Sequence, residues 1–208
     1  YVVHDFYEST PELPNIMDYC RKQNTSNSVL QFTSTSKVTF AGSGVCFLAA
    51  SKENIDAIQK HLAVFCIDPD KINQLRHLSV LNNLPNLKQY MKKHAQFLEP
   101  KFSCVLEQLK LNFVNSNLAT WTSPKGGYFI SQDTRPGLAS EVVRLSSDAG
   151  VKLTPAGATF PYGVDPEDKN IRIAPSFPAL DEINSAMEIL CNSIKLASIQ
   201  QKIKVTAS

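Results

Sequence analysis

In the stretch TSTSKVTFAGSG, Thr33 to Gly44, one lysine stands behind two serines at alternate positions and ahead of two glycines. A lysine amine attacks a carbonyl only in its neutral form, so chemistry at Lys37 needs burial or nearby positive charge to favour loss of its proton. Ser34 and Ser36 offer hydroxyls two residues apart, and Gly42 and Gly44 let backbone N–H groups come close to a ligand. Those are the usual provisions for a phosphate. The same stretch also suits an ordinary surface loop with a solvated lysine. A second residue of interest is Arg172, set between two isoleucines in NIRIAP. Its planar fork can grip a carboxylate through two parallel charge-assisted hydrogen bonds, or it can serve in a structural ion pair.

A reactive lysine beside a phosphate suggests pyridoxal phosphate, which carries an aldehyde and a phosphate on one molecule. The elements that must position these residues follow from the hydrophobic pattern. VLQFT from Val29 and VCFLAAS from Val45 read as buried strands, which places Lys37 in a strand-to-strand connection. Ser51 caps a helix whose apolar positions Ile55, Ile58, Leu62 and Phe65 should pack on the sheet. After DPDK, with Asp68 as the expected cap, a mostly helical stretch runs to about Phe113. It sets Leu87, Tyr90, Met91, Phe97, Val105 and Leu109 on one side, and Pro100 should kink or divide it. The remainder reads as strands 119–123 and 128–131, a helix 138–149 closed by Gly150, a strand 170–174 and a helix 180–197. That is a small α+β unit.

Composition narrows the classes. Of the 208 residues 43% are hydrophobic and 19% charged, as in an ordinary globular chain. Lys plus Arg number 21 against 19 Asp plus Glu, a net of +2, which gives no electrostatic reason to expect nucleic acid or an anionic membrane as partner. The five cysteines are scattered and never in a CxxC pair, so neither a disulfide framework nor a zinc site is indicated, and a cytoplasmic setting is expected. No apolar run approaches the ~20 residues of a membrane span. His4, His61, His77 and His94 show no metal spacing, and His61 and His94 are expected at the edge of the core. The chain opens at Tyr1 in YVVHDFY, which reads as the end of a strand, and a fragment of a longer polypeptide is the expectation.

Five segments in this order, STSKVTFAGSGV, DKINQLRH, PKGGYF, LTPAGATFPYG and NIRIAPSFP, resemble the C-terminal half of the fold-type I, pyridoxal-phosphate-dependent aminotransferases of class I/II. The branch they resemble most is the aspartate-aminotransferase-like or MocR-type one, from Tyr1 to about Ala197. The resemblance implies an α/β fold: residues 1–80 from the large cofactor-binding domain, 81–113 as a connecting helix, and 114–208 as the small C-terminal domain. It implies that Lys37 forms the Schiff base with pyridoxal 5′-phosphate and moves the proton at the substrate's Cα. Tyr1 would donate to the ring's O3′, Ser34 and Ser36 would hold the phosphate, and Arg172 would take the substrate α-carboxylate. Many relatives carry a phosphate-clamping arginine seven or eight residues after the lysine, where this chain has Gly44 and Val45. Arg76 or Lys71 is the candidate replacement, reaching across a dimer interface. The implied protein is a homodimeric aminotransferase acting on an amino acid and a 2-oxo acid, with aspartate and 2-oxoglutarate the best pair. Rival readings are a lyase or decarboxylase on the same fold, and an aminotransferase-like effector domain of a transcriptional regulator. PKGGYF and TPAGATFPYG are turn-rich and expected to shape the small domain.

Overall fold

The computed structural model describes residues 14–206, so Tyr1 and His4 lie outside the described residues. The described chain falls into two compact units, divided between His94 and Ala95.

In the first unit, α1 (Ile16–Lys22) starts at Asn15, whose side chain accepts from the Met17 N–H, and it buries Met17 and Cys20. Strands β1 (Gln31–Ser34) and β2 (Cys46–Ala49) pair antiparallel, with Ser34 opposite Cys46 and Gln31 opposite Ala49. Ser51 caps α2 (Lys52–Phe65) by accepting from the Asn54 N–H at 3.3 Å. Helix α3 (Lys71–Leu81) is capped by Asp70. The expected cap, Asp68, instead pairs with Lys71 at 3.0 Å. The reason is geometric: a capping oxygen must reach the N–H three residues on, and Asp70 accepts from Asn73 at 2.9 Å.

Two expectations for this unit fail. The strands are not buried, with Phe32 and Phe47 exposed at 70% and 59%, and α2 buries no residue. β1 and β2 pair only with each other, and among the described residues no second layer covers the ribbon. The long helical stretch is divided, but not at Pro100. The break falls at Asn82 and Asn83: Asn82 has φ of 40°, and Asn83 accepts from the Asn86 N–H at 2.9 Å to open the next helix. Asparagine tolerates positive φ and caps well, so two in succession interrupt more effectively than one proline.

Helix α4 (Leu84–Phe113) then runs through Pro100. Its buried stripe of Leu98, Phe102, Val105, Leu109 and Phe113 keeps helical spacing, and burial on both sides of the proline outweighs the lost hydrogen bond. Phe97 is off that stripe and 63% exposed. In the second unit β3 (Ala119–Trp121), β4 (Ile130–Thr134) and β5 (Asn170–Ile173) form an antiparallel sheet in that order. Helices α5 (Ala139–Asp148) and α6 (Leu180–Thr206) complete it. Ile130, Ile171 and Ile173 meet Ile183, Met187, Leu190 and Ile194 of α6 and the α4 stripe in one apolar core. Residues 14–94 contribute nothing to that cluster.

Candidate active site

Lys37 sits in the loop between β1 and β2. Thr35 anchors the loop: its N–H donates to the Val45 carbonyl at 2.9 Å, and its carbonyl accepts from Val38 and Thr39 at 2.8 and 2.9 Å. Val38 is buried, so its neighbours Ser36 and Lys37 are turned outward. The Ser34 and Ser36 hydroxyls converge in a mutual hydrogen bond, and the Ser36 N–H donates to Ser34 Oγ at 3.2 Å. Two exposed hydroxyls and a backbone N–H in the residues just before Lys37 could turn to an anion in place of one another.

The glycines of the loop have separate uses. Gly42 takes φ of 74°. A Cβ at Gly44 would lie 3.0 Å from the N, Cα and Cβ of Ser36. The approach of Ser36 therefore leaves a side chain at 44 in tight contact, so that Ser36 would have to shift by a few tenths of an ångström to admit one. Arg76 is exposed on α3 and makes no side-chain hydrogen bond or ion pair among the described residues. The structure thus brings Ser34 and Ser36 together, with Lys37 next to Ser36 in the same loop, whereas among the described residues Arg76 makes no hydrogen bond to them.

Arg172 stands on β5 opposite Ser131 of β4. Ile171 and Ile173 turn into the core, so strand alternation puts Arg172 on the other face. Its guanidinium carbon lies 4.7 Å from the Phe129 ring centroid. Its Nε is buried and has no hydrogen-bond partner. The alternative role, a structural ion pair, is not found among the described residues. This guanidinium thus has a buried donor left over, the kind of group that a carboxylate satisfies.

The frame around β5 is set by two residues that the sequence pattern did not single out. Lys101 of α4 is buried, and its Nζ donates to the carbonyls of Ser176 at 2.9 Å and Pro178 at 2.6 Å, holding the chain just after β5. Asp165 holds the turn before it, accepting from the N–H groups of Glu167, Lys169 and Asn170 at 3.0, 2.8 and 2.8 Å. Burial alone would raise the Asp165 carboxyl, but these backbone donors outweigh it and hold it below the ordinary range. A lowered native pKa contributes stability that is complete above the unfolded value, about pH 4, and is lost as pH falls through the native one. Asp165→Asn is expected to flatten that acid-side loss. Emission from Trp121, the chain's one tryptophan, on β3 of the same sheet, reports it during acid titration at fixed urea. A variant with the wild-type acid profile would refute this role.

Of the histidines, His61 is exposed rather than at the core edge, His94 is half-buried with its pKa lowered by that burial, and His77 is the buried one. Among the described residues, no group of three His, Cys, Asp or Glu is placed to hold a metal, and no helix is long and apolar enough to cross a membrane.

Residues 1–206 match the profile of the aspartate amino-transferase family. A curated aspartate aminotransferase of Corynebacterium glutamicum is 40% identical over 200 residues, which is 96% of this chain and 46% of that protein. The crystal structure of an aspartate transaminase from Corynebacterium glutamicum superposes with a TM-score of 0.91 at 40% identity, over 97% of this chain and 47% of that one. The α-aminoadipate aminotransferase of Thermus thermophilus, solved with N-(5′-phosphopyridoxyl)-L-leucine, matches in fold with a TM-score of 0.78 at 20% identity, covering 95% and 49%. The chain spans about half the length of the curated relatives it matches.

Proposed function

The chain belongs to the aspartate aminotransferase family, and on that premise we propose that the protein containing it is a pyridoxal-phosphate-dependent aminotransferase. The observation that carries the reading is the buried, unpartnered Nε of Arg172, a donor that a substrate α-carboxylate would satisfy. The residues present fit the cofactor: paired hydroxyls at Ser34 and Ser36 for its phosphate, and the Lys37 amine for its aldehyde. Arg76 is the proposed further phosphate ligand, and Tyr1 is the proposed donor to the ring oxygen.

When bound, the cofactor supplies an electron-withdrawing ring that weakens the bonds at the substrate's Cα. Lys37 Nζ would take the substrate's Cα proton and give it back, acting as base and acid in turn. Arg172 would hold the α-carboxylate by two parallel charge-assisted bonds, which would fix the substrate's orientation as well as its affinity. Aspartate and 2-oxoglutarate are the proposed pair, supported by the name of the 40%-identical relative. We further assign residues 1–80 to a large domain, 81–113 to the connector and 114–208 to a small domain of a cytoplasmic homodimer.

The test is a half-reaction. The intact protein with pyridoxal phosphate receives L-aspartate and no oxo acid while its visible absorption is recorded. Conversion to the pyridoxamine spectrum, absent in Lys37→Ala, supports the reading. A bound-cofactor band that aspartate leaves unchanged removes aspartate as substrate.

A further inference from the structure

His77 lies on α3, forty residues after Lys37 and 7% exposed, and its ring is bonded on both sides. On one side Nδ1 lies 2.8 Å from the Asn73 carbonyl, which can only accept, so Nδ1 carries the proton. In the neutral ring Nε2 is then the acceptor. It faces two hydroxyls, Thr35 Oγ1 at 3.1 Å and Thr39 Oγ1 at 2.8 Å, one on each side of Lys37. Thr35 Oγ1 in turn accepts the Val45 N–H at 2.9 Å, which extends the ring's reach to the far stem of the loop. The Phe40 ring meets the imidazole edge-on, with centroids 5.2 Å apart. One helical turn earlier, Asn73 Nδ2 donates to the Ser43 carbonyl at 2.8 Å. Two residues of α3 therefore hold the loop at both stems and just past the lysine.

Beyond these contacts the loop is held by its own backbone hydrogen bonds at Thr35 and by the turn at Phe40 and Ser43. Val38 is its buried side chain, and the strands it joins form a two-stranded ribbon with exposed faces. Such a ribbon is marginal alone in water. A loop of this kind samples many shapes unless a buried polar network selects one. We propose that His77 is a positioning residue for Lys37: its ring fixes the 35–45 loop in the shape that presents the lysine amine to the cofactor. The inference rests on the function proposed above only in its last clause. The fixing of the loop is independent of it.

The test separates the two. Lys37 is the loop's tryptic site, and Lys125, exposed in the other unit, is an internal control. Trypsin cuts segments that open locally, so the ratio of cleavage after Lys37 to cleavage after Lys125 reads loop opening and cancels global unfolding. The intact, cofactor-free protein is compared with His77→Leu, with His77→Gln, whose amide oxygen can stand in for Nε2, and with Thr39→Val, which keeps the shape and loses one hydroxyl. His77→Leu is expected to raise the ratio about tenfold and Thr39→Val about threefold, with His77→Gln near wild type. An unchanged ratio in His77→Leu, or a ratio for His77→Gln equal to that of His77→Leu, overturns the inference.

The second arm measures the dissociation constant for pyridoxal phosphate by absorption titration. His77→Leu should weaken binding about tenfold, with rescue by His77→Gln. If wild type binds and the affinities do not differ, the role toward the cofactor is overturned while the loop contact stands. If wild type itself shows no Lys37-dependent binding, the proposed function fails, and the cleavage ratio still decides whether His77 holds the loop.

Discussion

Replacing Lys37 by alanine in the intact protein is expected to lower the rate of the half-reaction by about 10⁴-fold or more, since in the proposed function one substitution removes both the nucleophile and the acid–base group. The loss is confined to chemistry. Ser34 and Ser36 remain, so the phosphate end of the cofactor still has its hydroxyl donors, and pyridoxal phosphate should bind without covalent attachment. Stopped-flow absorption gives the rate, and cofactor retained after gel filtration gives the binding. A half-reaction within tenfold of wild type would show that Lys37 is not the proton carrier. Complete loss of cofactor binding would show that the serines contribute little to holding it.

The second large effect is at Arg172, where activity and stability should move in opposite ways. In the proposed function Arg172→Leu removes two charge-assisted bonds to the α-carboxylate, each worth about 1.5 to 3 kcal/mol, so kcat/KM for the amino acid should fall about 10² to 10⁴-fold. Stability should stay level or rise. The side chain leaves behind a cation–ring contact worth about 0.5 to 1 kcal/mol, but it also takes away a buried donor with no partner. An arginine kept for structure would behave otherwise, with a clear drop in the urea midpoint. An amine without an α-carboxylate sharpens the measurement: wild type and variant should process it at similar rates. If both substrates slow equally, Arg172 acts on the fold rather than on the carboxylate.

Much of this site was legible from residue types. Lys37 between two strand-like runs, the serines two apart and Arg172 between two isoleucines are local patterns, and period-two alternation alone puts Arg172 on the face away from the core. Ser51 as a cap and the order of β3, β4, α5, β5 and α6 are equally local. What escaped depends on contacts between distant residues. His77 meets Thr35 and Thr39 across about forty positions, and Lys101 reaches carbonyls 75 and 77 positions away. No spacing rule announces either. The exposure of β1 and β2 was illegible for a different reason. An apolar strand records the surface it is built to meet, and Phe32 and Phe47 stay mostly exposed among the described residues. The division at Asn82 rather than Pro100 came from weighing proline against a core stripe that only the packing of α4 reveals.

The separation of the buried cluster from residues 14–94 has an energetic meaning beyond packing. Arg172 belongs to a strand flanked by fully buried isoleucines, so its frame opens only when the whole core opens. Lys37 belongs to a ribbon whose local opening is cheap. Ligand that binds only the closed ribbon shifts that local equilibrium by mass action. The strand that carries Arg172 is thus set before any ligand arrives. If ligand binds at Lys37 as proposed, affinity and local folding of the ribbon become one linked quantity, and part of a dissociation constant measured there is the free energy of closing the ribbon.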